Sequence, residues 1–411
     1  MTARAPLEGI TVLDLSTVLM GPLATQILAD HGARVIKVEP PAGDIVRWLG
    51  PSRSKGMGPL FLHLNRGKEG VALDLKDARA REAVMRLAAD ADVVVHNLRP
   101  KVMRRLGFGF DAVKAVNPRV VYCSLYGFGQ DGPYADRPAY DDLIQGASGL
   151  PSLMQAAGTG EPRYVALNIA DRLVGISAAY AITMGIVARD RTGEAQEIDV
   201  PMFETLASQV LSEHMYGRSF EPPLGPAGYP RLLTSERRPF ATADGHICVV
   251  CYTDAHWKRF LTEIGRDDLL SDPRFVTVGA RLNAISEVYG FLADRLRAQP
   301  TAHWLEVFDR LDIPATPLNT VDSLIEDPQA SAVGLIREVD HPTEGRIRTH
   351  RNPVLWGGEP TPLGVTPLLG QHTVEVLTAA GVSAEEIAAM QADGVAVDGR
   401  PEPAKTDPTA A

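Results

Sequence analysis

Apolar and polar positions in the first third of the chain alternate between short apolar runs and amphipathic stretches. Ile10–Leu15, Arg34–Val38, Val71–Leu75, Val93–His96 and Val120–Leu125 each read as a buried strand. After the first, Gly21-Pro22 opens a helix that runs to about Asp30, with proline at a tolerated first-turn position. A second helix is expected over Ala78–Ala89. Strands separated by helices predict a parallel sheet covered on both faces. Ligands of such sheets bind beyond the carboxyl ends of the strands. That rule singles out Ser16–Met20, Glu39–Gly43, Asn97–Pro100 and Tyr126–Gly132.

From about Tyr140 to Arg189 the pattern is mostly helical. Gly193–Val200 reads as another strand, with a helix from Met202. The Pro- and Gly-rich stretch at 219–231 marks a domain boundary. Residues 232–320 read as a smaller α/β unit, with a strand at Ile247–Cys251 and helices from near Asp254 and over His303–Leu311. Prolines and short β runs occupy 340–365. Ser383 and Glu386 form a capping box for the last helix. The tail, 396–411, has almost no apolar content and is expected to be disordered.

Composition narrows the class. A chain of 411 residues exceeds the size at which one core stops growing, so two domains are expected. Its net charge of -10 argues against a general nucleic-acid binder. Cys248 and Cys251 form a CxxC inside an apolar run, and no second Cys or His pair completes a metal site nearby. With only Cys123 besides, the chain suits a reducing compartment. The N-terminus lacks an apolar signal region, and no stretch reads as the ~18 apolar residues of a membrane span. A soluble cytoplasmic enzyme is expected, without metal.

Candidate chemistry is first defined by what is missing. No GxxxxGK[ST], GxSxG or HExxH occurs, and Gly127–Gly132 matches GxGxxG only in letters, since it runs into Pro133 instead of a helix. What remains is a set of polar phrases near strand and helix ends: Asn65-Arg66-Gly67-Lys68, Asn97-Leu98-Arg99-Pro100, Arg105-Leu106-Gly107, Tyr140-Asp141 and Asn168-Ile169-Ala170-Asp171. Arginine forks and asparagine amides suit a phosphorylated, adenine-bearing ligand, although each arginine taken alone reads more readily as a solvated surface charge. Asp171, ahead of the apolar stretch Leu173–Ile186, reads either as an N-cap or as a reactive carboxylate at a favourable dipole end. Spacing cannot choose between the two.

The ordered phrases resemble the family III CoA-transferases, also called the CaiB/BaiF family, across nearly the whole chain. The resemblance runs from Pro6–Ile10 and Val12–Asp14 through Gly32–Pro40, Asn65–Lys68, Asn97–Pro100, Arg105–Gly107, Gly127–Gly129, Tyr140-Asp141 and Ile198–Val200. It ends with Asp327–Gln329 and Pro367–Thr373. It implies a Rossmann-like large domain built from both ends of the chain, 1–218 and 321–395, a linker at 219–231, a small domain at 232–320, and an interlocked homodimer. It implies that Asp171 is the nucleophile, passing through acyl-aspartyl anhydride and aspartyl-CoA thioester intermediates. The CoA substrate would contact Leu64, Asn65, Arg66, Gly67, Asn97, Leu98, Arg99, Arg105, Tyr140 and Asp141, with no cofactor permanently bound.

Departures from the family pattern sharpen the reading. Leu19, Pro40 and Pro138 stand where better-known members carry polar or basic groups, and no glycine run replaces the family's lid in 230–245, which argues against formate–oxalate exchange. Arg231, Arg237 and Arg238 read either as carboxylate-recognising groups or as surface charge. The first rival activity is the acyl-CoA racemase of the same superfamily, which needs a histidine where Tyr140 stands. A non-catalytic CoA-binding protein, with Asp171 only a helix cap, is the second.

Overall fold

The computed structural model describes residues 5–400. The chain divides into two compact units. One holds the residues up to Ile144, Asn168–Leu206 and those from Gln329 on; the other holds Gln145–Leu167 and Ala207–Pro328. These bounds differ from the 219–231 linker and the 232–320 small domain expected above. The helix Met202–His214 runs through the first boundary without a break in pattern, so composition gives no sign of it. The excursion at 145–167 joins the second unit because Gln155–Thr159 packs on Pro230–Leu233.

The first unit is built on six parallel strands: β1 (Thr11–Asp14), β2 (Arg34–Glu39), β3 (Lys68–Leu73), β4 (Val93–His96), β5 (Val121–Tyr126) and β6 (Gln196–Pro201). Their lateral order is β3-β2-β1-β4-β5-β6. The order reverses between β1 and β4, which is where such sheets open a ligand crevice at the strand carboxyl ends. β3 starts three residues before the expected Val71, because Lys68–Gly70 pairs in register with Val35–Lys37. Ala396–Val397 adds an antiparallel edge strand against Ala72 and Leu73. The expected disordered tail therefore begins too early. Backbone pairing with β3 and burial of Ala396 in the core order its first residues; 401–411 lie outside the described residues.

Period-two alternation sorts the strand side chains onto two faces. Leu13, Ile36, Val71, Val94 and Tyr122 meet the helix Ala78–Asp90 and the C-terminal helices on one side. Val12, Val35, Val93, Val95, Val121 and Cys123 meet the helices Met20–Asp30 and Ile169–Thr192 on the other. The second of these helices, with 24 residues, is long and apolar enough to cross a membrane by length and composition, contrary to the sequence expectation. Here Val174, Ala178, Ile182 and Ile186 bury one face of it on the sheet.

The second unit has a three-stranded antiparallel sheet: Phe240–Ala241, His246–Val249 and Ala315–Pro317. Trp257, Phe260, Leu292, Trp304 and Phe308 cover it, with Phe260 and Phe308 stacked at 5.6 Å. Cys251 is buried and Cys248 half-buried; both thiols are free, and no metal-binding cluster occurs among the described residues.

Candidate active site

The loop after β1 lies at the switch point, and buried charge holds it there. Asp14, at the end of β1, accepts from Lys68 Nζ at 3.0 Å and Thr25 Oγ1 at 2.6 Å, and Ser16 Oγ also donates to it. Lys37 Nζ donates to the Ser16 carbonyl at 2.9 Å and lies 3.2 Å from Asp44. Asp44 in turn accepts the Val18 N–H at 3.1 Å. Val18 needs that restraint: its φ of 69° is left-handed, which costs a β-branched residue about 1–3 kcal/mol. Burial pushes the Asp14 carboxyl up, but Lys68 and then Lys37 outweigh it and hold the group at about 2. Burial brings the Lys68 ammonium down to about 8.

Sequence reasoning passed over this network. The available signal was a charge inside each of two apolar runs, Asp14 in the first strand and Lys37 in the second. Both side chains are fully buried. A charge there needs a partner, because desolvating it alone costs several kcal/mol.

Asp171 is placed by helix packing. Its helix starts at Ile169, so Asp171 sits in the first turn and is not the N-cap that the local pattern suggested; Asn168 holds that position. One turn further on, Gly175 meets the start of the helix Met20–Asp30 so closely that a Cβ would lie 2.8 Å from the Met20 carbonyl oxygen. Asp171 therefore lies one turn before the point where its helix packs on Met20. The Asp171 N–H donates to Asp141 Oδ2 at 3.0 Å. The cap of this helix end thus comes from a separate helix, Asp141–Ala147.

That arrangement perturbs Asp171. Burial and then the Asp141 charge push its carboxyl up to about 7, against the opposing pull of the Asn168 hydrogen bond and Arg172. Arg172 Nε is buried without a hydrogen-bond partner among the described residues. His63 is held down to about 4, first by burial and then by His350, Arg66 and Arg172.

The expected CoA contacts fall at two ends of the sheet. Asn97, Leu98 and Arg99 leave β4 at its carboxyl end. There the Asn97 amide brackets Thr17, accepting its N–H at 2.9 Å and donating to its carbonyl at 2.7 Å. Leu64–Gly67 instead enters β3 at its amino end. In that turn Leu64 is buried, and Asn65 bonds the Phe61 carbonyl and Lys68. Arg66 forks onto Asp30 at 3.0 and 2.7 Å, and the Gly67 N–H bonds the Val365 carbonyl. Arg99, Arg105 and Tyr140 are exposed; Asp141 is buried.

Comparison with known proteins identifies the family. The model of the CoA-transferase family III matches residues 7–373. A succinate–glutarate CoA-transferase of Agrobacterium fabrum is 33% identical, covering 91% of this chain and 95% of its own. An acetyl-CoA:oxalate CoA-transferase of Acetobacter aceti is 35% identical over 87% and 91%. A CaiB/BaiF family crystal structure from Brucella suis superposes with a TM-score of 0.78 at 30% identity, covering 92% of this chain and all of that one. The expected family resemblance and α/β class are thus borne out, and the chain belongs to the CoA-transferase family III, enzymes that move CoA between acyl-CoA thioesters and carboxylic acids.

Proposed function

We propose that Asp171 is the nucleophile through which this enzyme exchanges CoA. The supporting observation is its half-buried carboxylate in the first turn of Ile169–Thr192, desolvated and pushed up to about 7 with Asp141 next to it. A desolvated carboxylate is a stronger nucleophile once ionised. It attacks the acyl-CoA carbonyl, forming an acyl-aspartyl anhydride and releasing CoA thiolate. The thiolate attacks the aspartyl carbonyl, giving an aspartyl-CoA thioester and the free donor acid. The acceptor carboxylate then forms a second anhydride, and the thiolate converts it into the new acyl-CoA and restores Asp171. Each step exchanges one acyl bond for another, so the cycle consumes no water.

The CoA path we infer runs from Arg105 and Arg99 past Asn97 and Leu98 to Asp171. Tyr140, Asp141 and the turn of Leu64, Asn65, Arg66 and Gly67 complete the set. In this set Asp141, Leu64, Asn65 and Arg66 act by holding backbone and helix ends, since all four side chains are buried. Racemisation is disfavoured because a tyrosine, 70% exposed, stands at position 140. We also infer a homodimer. Ile176, Tyr180, Met184 and Val187 form an exposed apolar stripe along the long helix, suited to a second copy. Three free cysteines support a cytoplasmic setting.

The test is hydroxylamine trapping with an acyl-CoA donor, followed by peptide mass spectrometry. Hydroxamate on the peptide containing Asp171 is expected, and Asp171→Asn should lose both the label and at least roughly 10³-fold in exchange rate. Full exchange by Asp171→Asn would leave Asp171 a structural residue. Relatives named for glutarate and oxalate make short dicarboxylates the first acids to assay.

A further inference from the structure

Arg172 follows Asp171 near the start of Ile169–Thr192, and its guanidinium makes no hydrogen bond or ion pair among the described residues. Its Nε is nonetheless buried. A buried donor left unpaired forfeits the bond it had with water, so such a group calls for a partner. A second feature lies within reach of the same charge. His63 and His350 stack, with ring centroids 5.7 Å apart and planes inclined by 29°. His63 is half-buried and His350 exposed, so the pair opens to solvent. All of these residues belong to the first unit.

The Arg172 charge acts on both histidines and on Asp171. Arg66 also acts on both rings, and Asp30 opposes it at His350. Asp30 is already engaged: it takes the Arg66 fork at 3.0 and 2.7 Å and the Asn352 amide at 3.4 Å. Burial first, and then these cations, keep the two rings unprotonated. His350 Nδ1 faces the Arg351 carbonyl at 3.3 Å and so carries the ring proton. His63 Nδ1 lies 3.1 Å from Thr349 Oγ1. With that hydroxyl donating, the His63 proton sits on Nε2, which has no partner among the described residues. The cluster therefore offers a free guanidinium and an imidazole N–H, and its one carboxylate is spent on Arg66. That is the complement of an anion.

We propose that Arg172, with His63 and His350, receives the carboxylate of the acid that accepts CoA and holds it for exchange at Asp171. The inference rests on the CoA-transfer reading above. In that cycle two carboxylates, the acid and Asp171, must meet, and Asp141 adds a third negative charge. Like charges resist that approach. A guanidinium adjacent in sequence to Asp171 offsets the repulsion and matches a carboxylate bidentately. A CoA phosphate shares the oxyanion chemistry, so the experiment separates the two.

Glutarate is the probe, as acceptor and as ligand of the full-length enzyme. Initial rates are measured with one acyl-CoA donor and with its dephospho form, and affinities by isothermal titration. Work at about pH 8.5 keeps Asp171 ionised, since its value is about 7. In Arg172→Gln both the KM and the Kd of glutarate should rise about 10- to 100-fold, the loss of one or two charge-assisted contacts. The donor KM should stay within about twofold. Arg172→Lys, which keeps the charge and loses the fork, should fall between. In the wild type, glutarate should move the proton-NMR titrations of His63 and His350 to higher pH, because an anion favours the protonated rings. Histidine titrations that glutarate leaves in place overturn the proposal, and they decide it alone if Arg172→Gln fails to fold. So do an unchanged glutarate KM and Kd, equal losses for glutarate and donor, or no binding of glutarate to the wild type. A raised donor KM that vanishes with the dephospho form overturns it too and assigns Arg172 to the phosphate. If Asp171→Asn keeps full exchange yet glutarate binding still depends on Arg172, the Asp171 reading fails and the carboxylate site stands.

Discussion

Asp141 Oδ2 accepts the backbone N–H of Asp171 at 3.0 Å, so one carboxylate holds the helix end on which another is presented. The bond and the charge act in different ways. The bond satisfies a first-turn donor that has no partner within the helix. The charge, after burial, pushes the Asp171 carboxyl up to about 7.

A pH dependence follows. If ionised Asp171 is the attacking group, kcat/KM rises with pH and levels off above about 7. Asp141→Asn removes the like charge while keeping an acceptor for the N–H. The acid limb of the profile should then move to lower pH, read from initial rates between pH 5 and 9. A limb that stays in place would mean that Asp141 has no electrostatic role.

Stability should move in the opposite sense to activity at Asp171. Its folded value lies above the ordinary carboxylate value of about 4, so the folded state binds the extra proton between the two and loses stability as pH rises through that window. Asp171→Asn removes the ionised group. Its melting temperature should exceed that of the wild type at pH 8, and the difference should shrink toward pH 5. Melts with no pH-dependent difference would show that Asp171 is not strained by its surroundings.

The buried network under the β1 loop predicts a severe mutant. Lys68→Met leaves Asp14 buried with less compensation and should destabilise the protein by about 3–5 kcal/mol in urea titration. Asp14 is held at about 2, below its unfolded value near 4. Its contribution is therefore present above about pH 4 and fades as pH falls toward 2. The Lys68 effect should shrink in acid with it, which stability curves at pH 7 and pH 3 would reveal.

The apolar stripe on the long helix tests the dimer. Tyr180→Glu with Met184→Glu places two charges on residues that are 55% and 64% exposed in the single chain. Light scattering should report a dimer for the wild type and a monomer for the variant. A wild-type monomer, or an unchanged dimer in the variant, would remove the stripe from the interface.

The amino-acid sequence by itself determined the class of this protein. Continuous apolar runs spaced by helical stretches specify a doubly covered parallel sheet, because a strand buried on both faces must be mostly apolar. The ordered polar phrases specified the family and singled out Asp171, and the Ser383–Glu386 capping box is legible because its partners are three residues apart. Only the tertiary structure decided the remainder, since it depends on groups far apart in sequence. Gly175 against Met20, Asp141 under Asp171 and Lys68 beside Asp14 meet through packing and not through spacing. The N-cap reading of Asp171 failed for the same reason: the cap is supplied from 30 residues away. Ala396–Val397 became a strand by pairing with Ala72 and Leu73, more than 300 residues away, with Val395 and Ala396 buried in the same core.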